Sequence, residues 1–133
     1  MAHETPPRLR AADLRKLTAE ADDFGADKNC SCRLLHAVGW ESIPDERWPA
    51  GLMELQGTLR DAELHEPTFE EFHPAGTRYD SSDAPVAIDF FPFNRCDVYR
   101  CVACKLVVLR YTEYGGYYVD HRARCVKTSL IVN

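Results

Sequence analysis

Polar and apolar residues alternate most regularly towards the C-terminal end of the chain. Lys105 to Tyr114 (KLVVLRYTEY) and Tyr117 to Val126 (YYVDHRARCV) are rich in β-branched and aromatic residues, which favour a pleated, half-buried surface. Gly115 and Gly116 lie between them, and paired glycines flanked by such runs predict a two-residue primed turn. In that turn Tyr114 faces Tyr117, Arg110 faces His121 and Leu106 faces Cys125. Upstream, Leu52 to Arg60 alternates as a strand, and Asp97 to Val102 begins the sheet that the hairpin continues. Ala87 to Phe91 is expected as an edge strand.

A helical period is clearest near the N-terminus. Leu14, Leu17, Ala21 and Phe24 recur on one face of the segment from Ala12 to Phe24, and Gly25 follows as a stop. Thr68, with Glu71 three residues on, has the pattern of a capping box and predicts a short second helix ended by Pro74. Residues 30–40 (CSCRLLHAVGW) read either as an extended segment or as a short helix entering a strand. His36, among apolar neighbours there, reads as a core histidine. Ile43 to Pro49 reads as a loop pinned by Trp48, and residues 76–92 are rich in turn formers. The predicted fold is a single α+β domain over residues 1–133. It has a mainly antiparallel sheet, a C-terminal Gly-Gly hairpin and one or two helices near the N-terminus, and residues 1–9 form a polar tail.

Composition narrows the function. The net charge of −5 argues against direct nucleic-acid binding by phosphate neutralisation. No run of apolar residues is long enough to span a membrane. The N-terminal residues lack the apolar core of a signal peptide, so the expected compartment is the cytoplasm. There the six cysteines are expected as thiols or metal ligands and not as disulfides. The charge is uneven. Residues 1–95 hold 10 Lys/Arg against 18 Asp/Glu, whereas residues 96–133 hold 6 against 3. Eight acids and one base, Arg78, fall between Asp61 and Asp89. Such a run is either a solvated face or a docking surface that attracts a basic partner.

Two groups of residues have candidate chemistry. Cys101-Val-Ala-Cys104 has the spacing of a zinc knuckle, and Cys30-Ser-Cys32 is a second pair that folding can bring near it. Structural zinc on Cys30, Cys32, Cys101 and Cys104 is the sharper reading; buried thiols packed as small hydrophobes is the plainer one. His121 and Cys125 lie about 13 Å apart on an extended strand, too far to bind one ion together. The predicted register sets His121 aside and leaves Cys125 open. The second group comprises His73, Asp80, Asp83 and Asp89, with His121 beside Asp120, where a cysteine and a histidine form a nucleophile pair if they meet. No phosphate loop, HExxH or GxSxG motif accompanies them, and the expectation is a binding protein without enzymatic activity.

Four segments carry a resemblance: CRLLHAVGW (32–40), FEEFHPAGTRYDSSDAP (69–85), FPFNRCDVYRCVAC (91–104) and LRYTEYGGYYVDHR (109–122). Together they cover well over half of the chain. They resemble a group of small acidic proteobacterial proteins, the immunity proteins encoded beside contact-dependent growth-inhibition toxins. That group shares a task more than a fold, so no catalytic residue is carried over. The resemblance implies a cytoplasmic complex with the C-terminal domain of a cognate toxin, a basic domain of nuclease type. The expected contacts are Glu63, Glu66, Glu70, Glu71, Asp80 and Asp83, with Tyr114 and Tyr117 of the hairpin. A zinc-ribbon-like adaptor or regulator using Cys101 and Cys104 is the alternative.

Overall fold

The computed structural model describes residues 6–25, 30–35 and 37–132; His36 lies outside them. The chain begins with helix α1 (Ala11–Phe24), followed by strands β1 (Glu41–Ser42), β2 (Met53–Thr58), β3 (Val86–Ala87) and β4 (Asp97–Cys101). Strands β5 (Val107–Tyr114), β6 (Val119–Cys125) and β7 (Ile131–Val132) complete it. Five strands form an antiparallel sheet in the order β1-β6-β5-β4-β2, and β3 pairs with β7 in parallel. This is the expected α+β domain with a mainly antiparallel sheet. Among the described residues, no helix is long and apolar enough to cross a membrane.

Helix α1 forms where its periodicity placed it. The Asp13 carboxylate accepts the Arg10 amide at 2.8 Å, satisfying a donor at the helix start. Gly25 ends the helix at φ 86° and donates to the Ala21 carbonyl, a conformation glycine takes without a Cβ clash. Leu14 is fully buried, and Thr18 is buried with its hydroxyl donating to the Leu14 carbonyl. Phe24, expected on the apolar face, is exposed.

The sheet buries both faces because successive side chains point to opposite sides. One face carries Val98, Val107, Leu109 and Tyr111 into the larger core, with Leu14, Trp40, Leu59 and Phe93. Burying each large aliphatic side chain there contributes about 1.5–3 kcal/mol. The other face carries Cys101, Val108, Ala123 and Cys125 into a smaller core with Cys30, Cys32, Leu34, Ile43 and Met53. No helix covers this second face among the described residues; residues 30–35 and 43–52 close it as turns and irregular chain.

Several expectations need correction. The hairpin is present, but Tyr114 pairs with Val119, Thr112 with His121 and Val108 with Cys125. The connection is four residues long, with the Gly115 amide donating to the Tyr118 carbonyl at 2.8 Å. Neither Gly115 nor Gly116 adopts positive φ. Glycine serves at 115 because a Cβ would lie 3.2 Å from the Tyr118 ring. The partner of each residue is displaced by two positions, which keeps every side chain on its predicted face. No helix follows Thr68, whose hydroxyl instead accepts the Glu70 amide in a local turn. The predicted edge strand is only Val86–Ala87. Pro7 to Leu9, expected in the polar tail, run alongside β2: the Pro7 carbonyl accepts the Thr58 amide, and the Leu9 amide donates to the Thr58 carbonyl.

That N-terminal contact explains Gly57, which follows a bulge in β2 between Leu55 and Gly57. A Cβ there would sit 2.6 Å from the Pro7 carbonyl oxygen and 2.7 Å from the Leu9 side chain. Gly57→Ala is expected to destabilise the protein by about 1–3 kcal/mol through overpacking. Gly116 has open space around it, so Gly116→Ala is expected to leave the melting temperature unchanged or slightly raised. Thermal unfolding of the two variants checks both, and a Gly116→Ala loss equal to that of Gly57→Ala would contradict this account of the turn.

Candidate metal centre

The smaller core is built around sulfur. Cys101 ends β4, and Cys104 lies in the tight turn that leads into β5. Two backbone bonds close that turn: the Cys101 amide donates to the Leu106 carbonyl and the Lys105 amide to the Cys101 carbonyl, both at 2.9 Å. Cys30 and Cys32 lie in the segment after α1, where the Arg33 amide donates to the Cys30 carbonyl at 3.1 Å. The two turns meet face to face. The Sγ atoms of Cys30 and Cys101 are 3.7 Å apart, those of Cys32 and Cys104 are 3.8 Å apart, and all four lie within 4.8 Å of one another. Their exposures run from 0 % at Cys101 to 9 % at Cys30.

Backbone amides two residues ahead lie beside three of the sulfurs and favour their charged form: that of Cys32 at Cys30, Leu34 at Cys32, and Leu106 at Cys104. Such donors favour the thiolate, the form that binds a metal. At Cys30 the amide of Cys32 is the largest influence and draws the thiol below its ordinary value. At Cys104 burial wins and pushes it up to about 11, and burial raises Cys32 as well. Without an ion these two thiols therefore stay protonated at neutral pH. A bound dication reverses that balance, because it stabilises the deprotonated ligand directly.

The backbone is strained at two positions that serve these contacts. Arg33 (φ 56°) and Lys105 (φ 65°) are the non-glycine residues with positive φ among those described. Each stands between a cysteine and the amide that reaches back to its sulfur. The left-handed turn at Arg33 brings the Leu34 amide to Cys32, and that at Lys105 brings the Leu106 amide to Cys104. A side chain in this conformation costs roughly 1–2 kcal/mol, and it persists where surrounding structure over-determines it.

The remaining cysteines stand apart from the group. Cys96 donates to the Pro92 carbonyl at 3.3 Å, and Cys125 lies 3.9 Å from the Leu35 carbonyl; burial raises both thiols. Cys125, left open by the sequence, is not in the four-sulfur group. His121 faces Thr112 and not Arg110; its Nδ1 lies 3.1 Å from the Thr112 hydroxyl and its Nε2 3.5 Å from Asp45. His73 bridges Glu71 at 2.8 Å and Thr77 at 2.7 Å. Asp120 bonds Ser42 and Arg122, and Asp89 lies 3.7 Å from Arg8. Among the described residues, neither His73 nor His121 hydrogen-bonds a cysteine.

The expected contact residues are all at the surface. Glu63, Glu66, Glu70, Glu71, Asp80 and Asp83 are exposed, as are Tyr114 and Tyr117. Glu71 pairs with His73; the other five acids form no ion pair among the described residues. Nothing in the residue types marked Arg33 or Lys105, since arginine and lysine carry no preference for a left-handed turn. The signal available was their position, directly after the second cysteine of each pair.

Glycine at position 105 relieves the conformational cost without touching a ligand. Lys105→Gly is expected to hold or raise stability, and Lys105→Val to lower it by about 1–2 kcal/mol. Denaturant unfolding under identical metal conditions checks this, and equal effects of the two substitutions would contradict a strained turn at 105.

No protein-family model matches the chain, and no curated protein or solved structure is similar to it at a significant level.

Proposed function

We propose that the chain is a protein-binding module built on a structural zinc ion, and that it acts as an immunity protein that binds and neutralises a cognate toxin domain. The zinc reading rests on distance. Four sulfurs about 2.3 Å from a central ion form a tetrahedron with edges of about 3.8 Å; two of the sulfur pairs stand 3.7 and 3.8 Å apart, and all four atoms lie within 4.8 Å of one another. Four thiolates leave no open position, so Cys30, Cys32, Cys101 and Cys104 would hold the ion in a structural role. Its chemistry is to tie residues 30–35 to the β4–β5 turn and close the smaller core.

The binding reading is carried by the hairpin tip. Tyr114, Tyr117, Tyr118 and Val119 are 80, 103, 63 and 55 % exposed. Large aromatic residues at the end of a sheet add nothing to this core, whereas tyrosine is enriched where proteins meet. The unpaired acids Glu63, Glu66, Glu70, Asp80 and Asp83 supply a negative field suited to a basic partner. The resemblance to growth-inhibition immunity proteins supplies the partner: the basic C-terminal domain of a toxin, of nuclease type, bound in the cytoplasm without catalysis by this chain. A zinc-ribbon-like adaptor or regulator is the second reading, favoured by the two cysteine turns. It predicts the same metal but no protection against a toxin.

Protein purified without chelators is expected to hold about one equivalent of zinc, and chelation is expected to lower its melting temperature. Elemental analysis that finds no metal would remove the zinc reading and leave the binding reading intact. For the partner, the test is co-expression with the toxin encoded beside the gene. Replacing Tyr114, Tyr117 and Tyr118 with Ser is expected to abolish protection while the variant remains folded. Reversing Glu70 and Glu71 to Lys is expected to slow association at low salt, where the Debye length is ~30 Å, more than at physiological salt, where it is ~8 Å. An equal reversal at Asp23 and Glu46 is the control. Equal protection by both reversed variants would place the docking surface outside the acidic segment.

A further inference from the structure

Beyond the metal centre and the hairpin tip, one cleft combines charge with aromatic walls. It holds ≈ 440 Å³, within the range of small-molecule sites. It lies where β4 gives out: Asp97 is the last residue of β4 paired to β5, opposite Arg110, while β5 continues to Tyr114. Arg60, Arg95, Arg110 and His121 line it, against the acids Asp97 and Glu113. Phe69, 73 % exposed, stands at one side, and Tyr99 and Tyr114 line it elsewhere.

We infer that this cleft binds a phosphate monoester whose carrier includes a planar aromatic ring, a ligand of the class and size of a mononucleotide. The inference is independent of the immunity reading and of zinc. Of the cations that line the cleft, Arg95 forms no ion pair among the described residues. Its guanidinium lies 4.3 Å from the centre of the Phe69 ring and 5.8 Å from that of Phe91, and it donates to the Pro67 and Thr68 carbonyls. Arg110 is likewise oriented by stacking, 4.4 Å from the centre of the Trp48 ring. Each has its Nε buried, so the Nη groups are the ones that can meet a ligand. Planar cations fixed against rings suit phosphate oxygens, and the free face of Phe69 suits stacking by a planar group.

Asp45 shows what the cationic end of the cleft selects. It comes from the loop after β1 with its side chain 74 % exposed, and it reaches Arg110 at 2.8 Å and His121 at 3.5 Å. The Arg110 side chain is 17 % exposed, so the carboxylate is the solvent-facing member of the pair and the guanidinium the sheltered one. A dianionic phosphate can displace the single carboxylate and take both partners, which makes Asp45 an internal competitor for the site. Asp97 holds Arg60 at 2.9 Å in the same way.

Calorimetric titration of the intact protein with adenosine 5′-monophosphate, adenosine and inorganic phosphate tests the proposal. The monophosphate is expected to bind saturably, with adenosine and phosphate each weaker by about tenfold or more. Asp45→Asn is expected to tighten binding of the monophosphate, whereas Glu46→Gln, the same change of charge on the adjacent exposed residue, leaves it unchanged. Arg95→Gln is expected to weaken it by about tenfold. Should Arg95→Gln fail to fold, the comparison of the two acid variants decides, because neither side chain is buried. Absence of binding by the monophosphate overturns the proposal. So does phosphate binding as tightly as the monophosphate, or an equal response of the Asp45 and Glu46 variants.

Discussion

The convergence of four sulfur atoms within 4.8 Å is the constraint on which the smaller core depends. Cys30 and Cys32 are about seventy residues from Cys101 and Cys104, and the segment that carries them has neither helix nor strand to hold it. Closing so long a loop costs configurational entropy that a few sulfur contacts offset only weakly. The segment nevertheless lies against the sheet in a defined form, with one left-handed residue, Arg33, and the amides of Cys32 and Leu34 beside its sulfurs. Those amides do for the thiolates what a helix cap does for an orphan donor: they give a charged or polar atom a fixed partner inside the protein.

The two faces of the sheet are held by different means. On one, α1, Trp40, Leu59 and Phe93 pack against Val98, Val107 and Leu109, and apolar burial supplies the stabilisation. Trp40 also contacts the rings of Tyr79, Phe93 and Tyr111, while the Tyr79 hydroxyl accepts from Arg122 at 3.0 Å. On the other face the covering chain is irregular and its large side chains are few. There Trp48, edge-on to Tyr99 and stacked on Arg110, and the cysteine group bear the packing. A small face closed by coil is where an added tie between distant segments has the largest effect.

Charge is sorted between strands and loops. The positive balance of the C-terminal segment comes largely from arginines on β4, β5 and β6, which reach over the sheet to local partners: Arg100 to Glu20, Arg110 to Asp45, Arg122 to Asp120. Arg124 is 1 % exposed and bonds the Ala84 carbonyl at 2.8 Å. It thereby anchors the turn that carries Asp83. The acids of residues 61–89 ride on loops and turns, and most form no ion pair among the described residues. Arg60, Arg95 and Arg110 line the cleft, and of these three only Arg110 lies on a strand.

Alternation of side chains was enough for the sequence to mark β2, β4, β5 and β6, though not the two-residue strands β1 and β7, and the i, i+3, i+4 spacing of Leu14, Leu17 and Ala21 was enough for α1. Both signals are local. The turn at Gly115–Tyr118 was not legible, because the ring of Tyr118 folds back on Gly115 and lengthens the connection by two residues. Nor was the failed helix at Thr68, where a hydroxyl serves a turn as readily as a cap. The Cys101–Cys104 spacing marked one half of the four-cysteine group, since a hairpin turn sets the distance between those sulfurs by itself. Its union with Cys30 and Cys32, the exclusion of Cys125 and His121, and the meeting of Arg95, Arg110 and Asp45 were decided by tertiary structure. Each depends on how segments remote in sequence cross the two faces of the sheet, and no local preference encodes that.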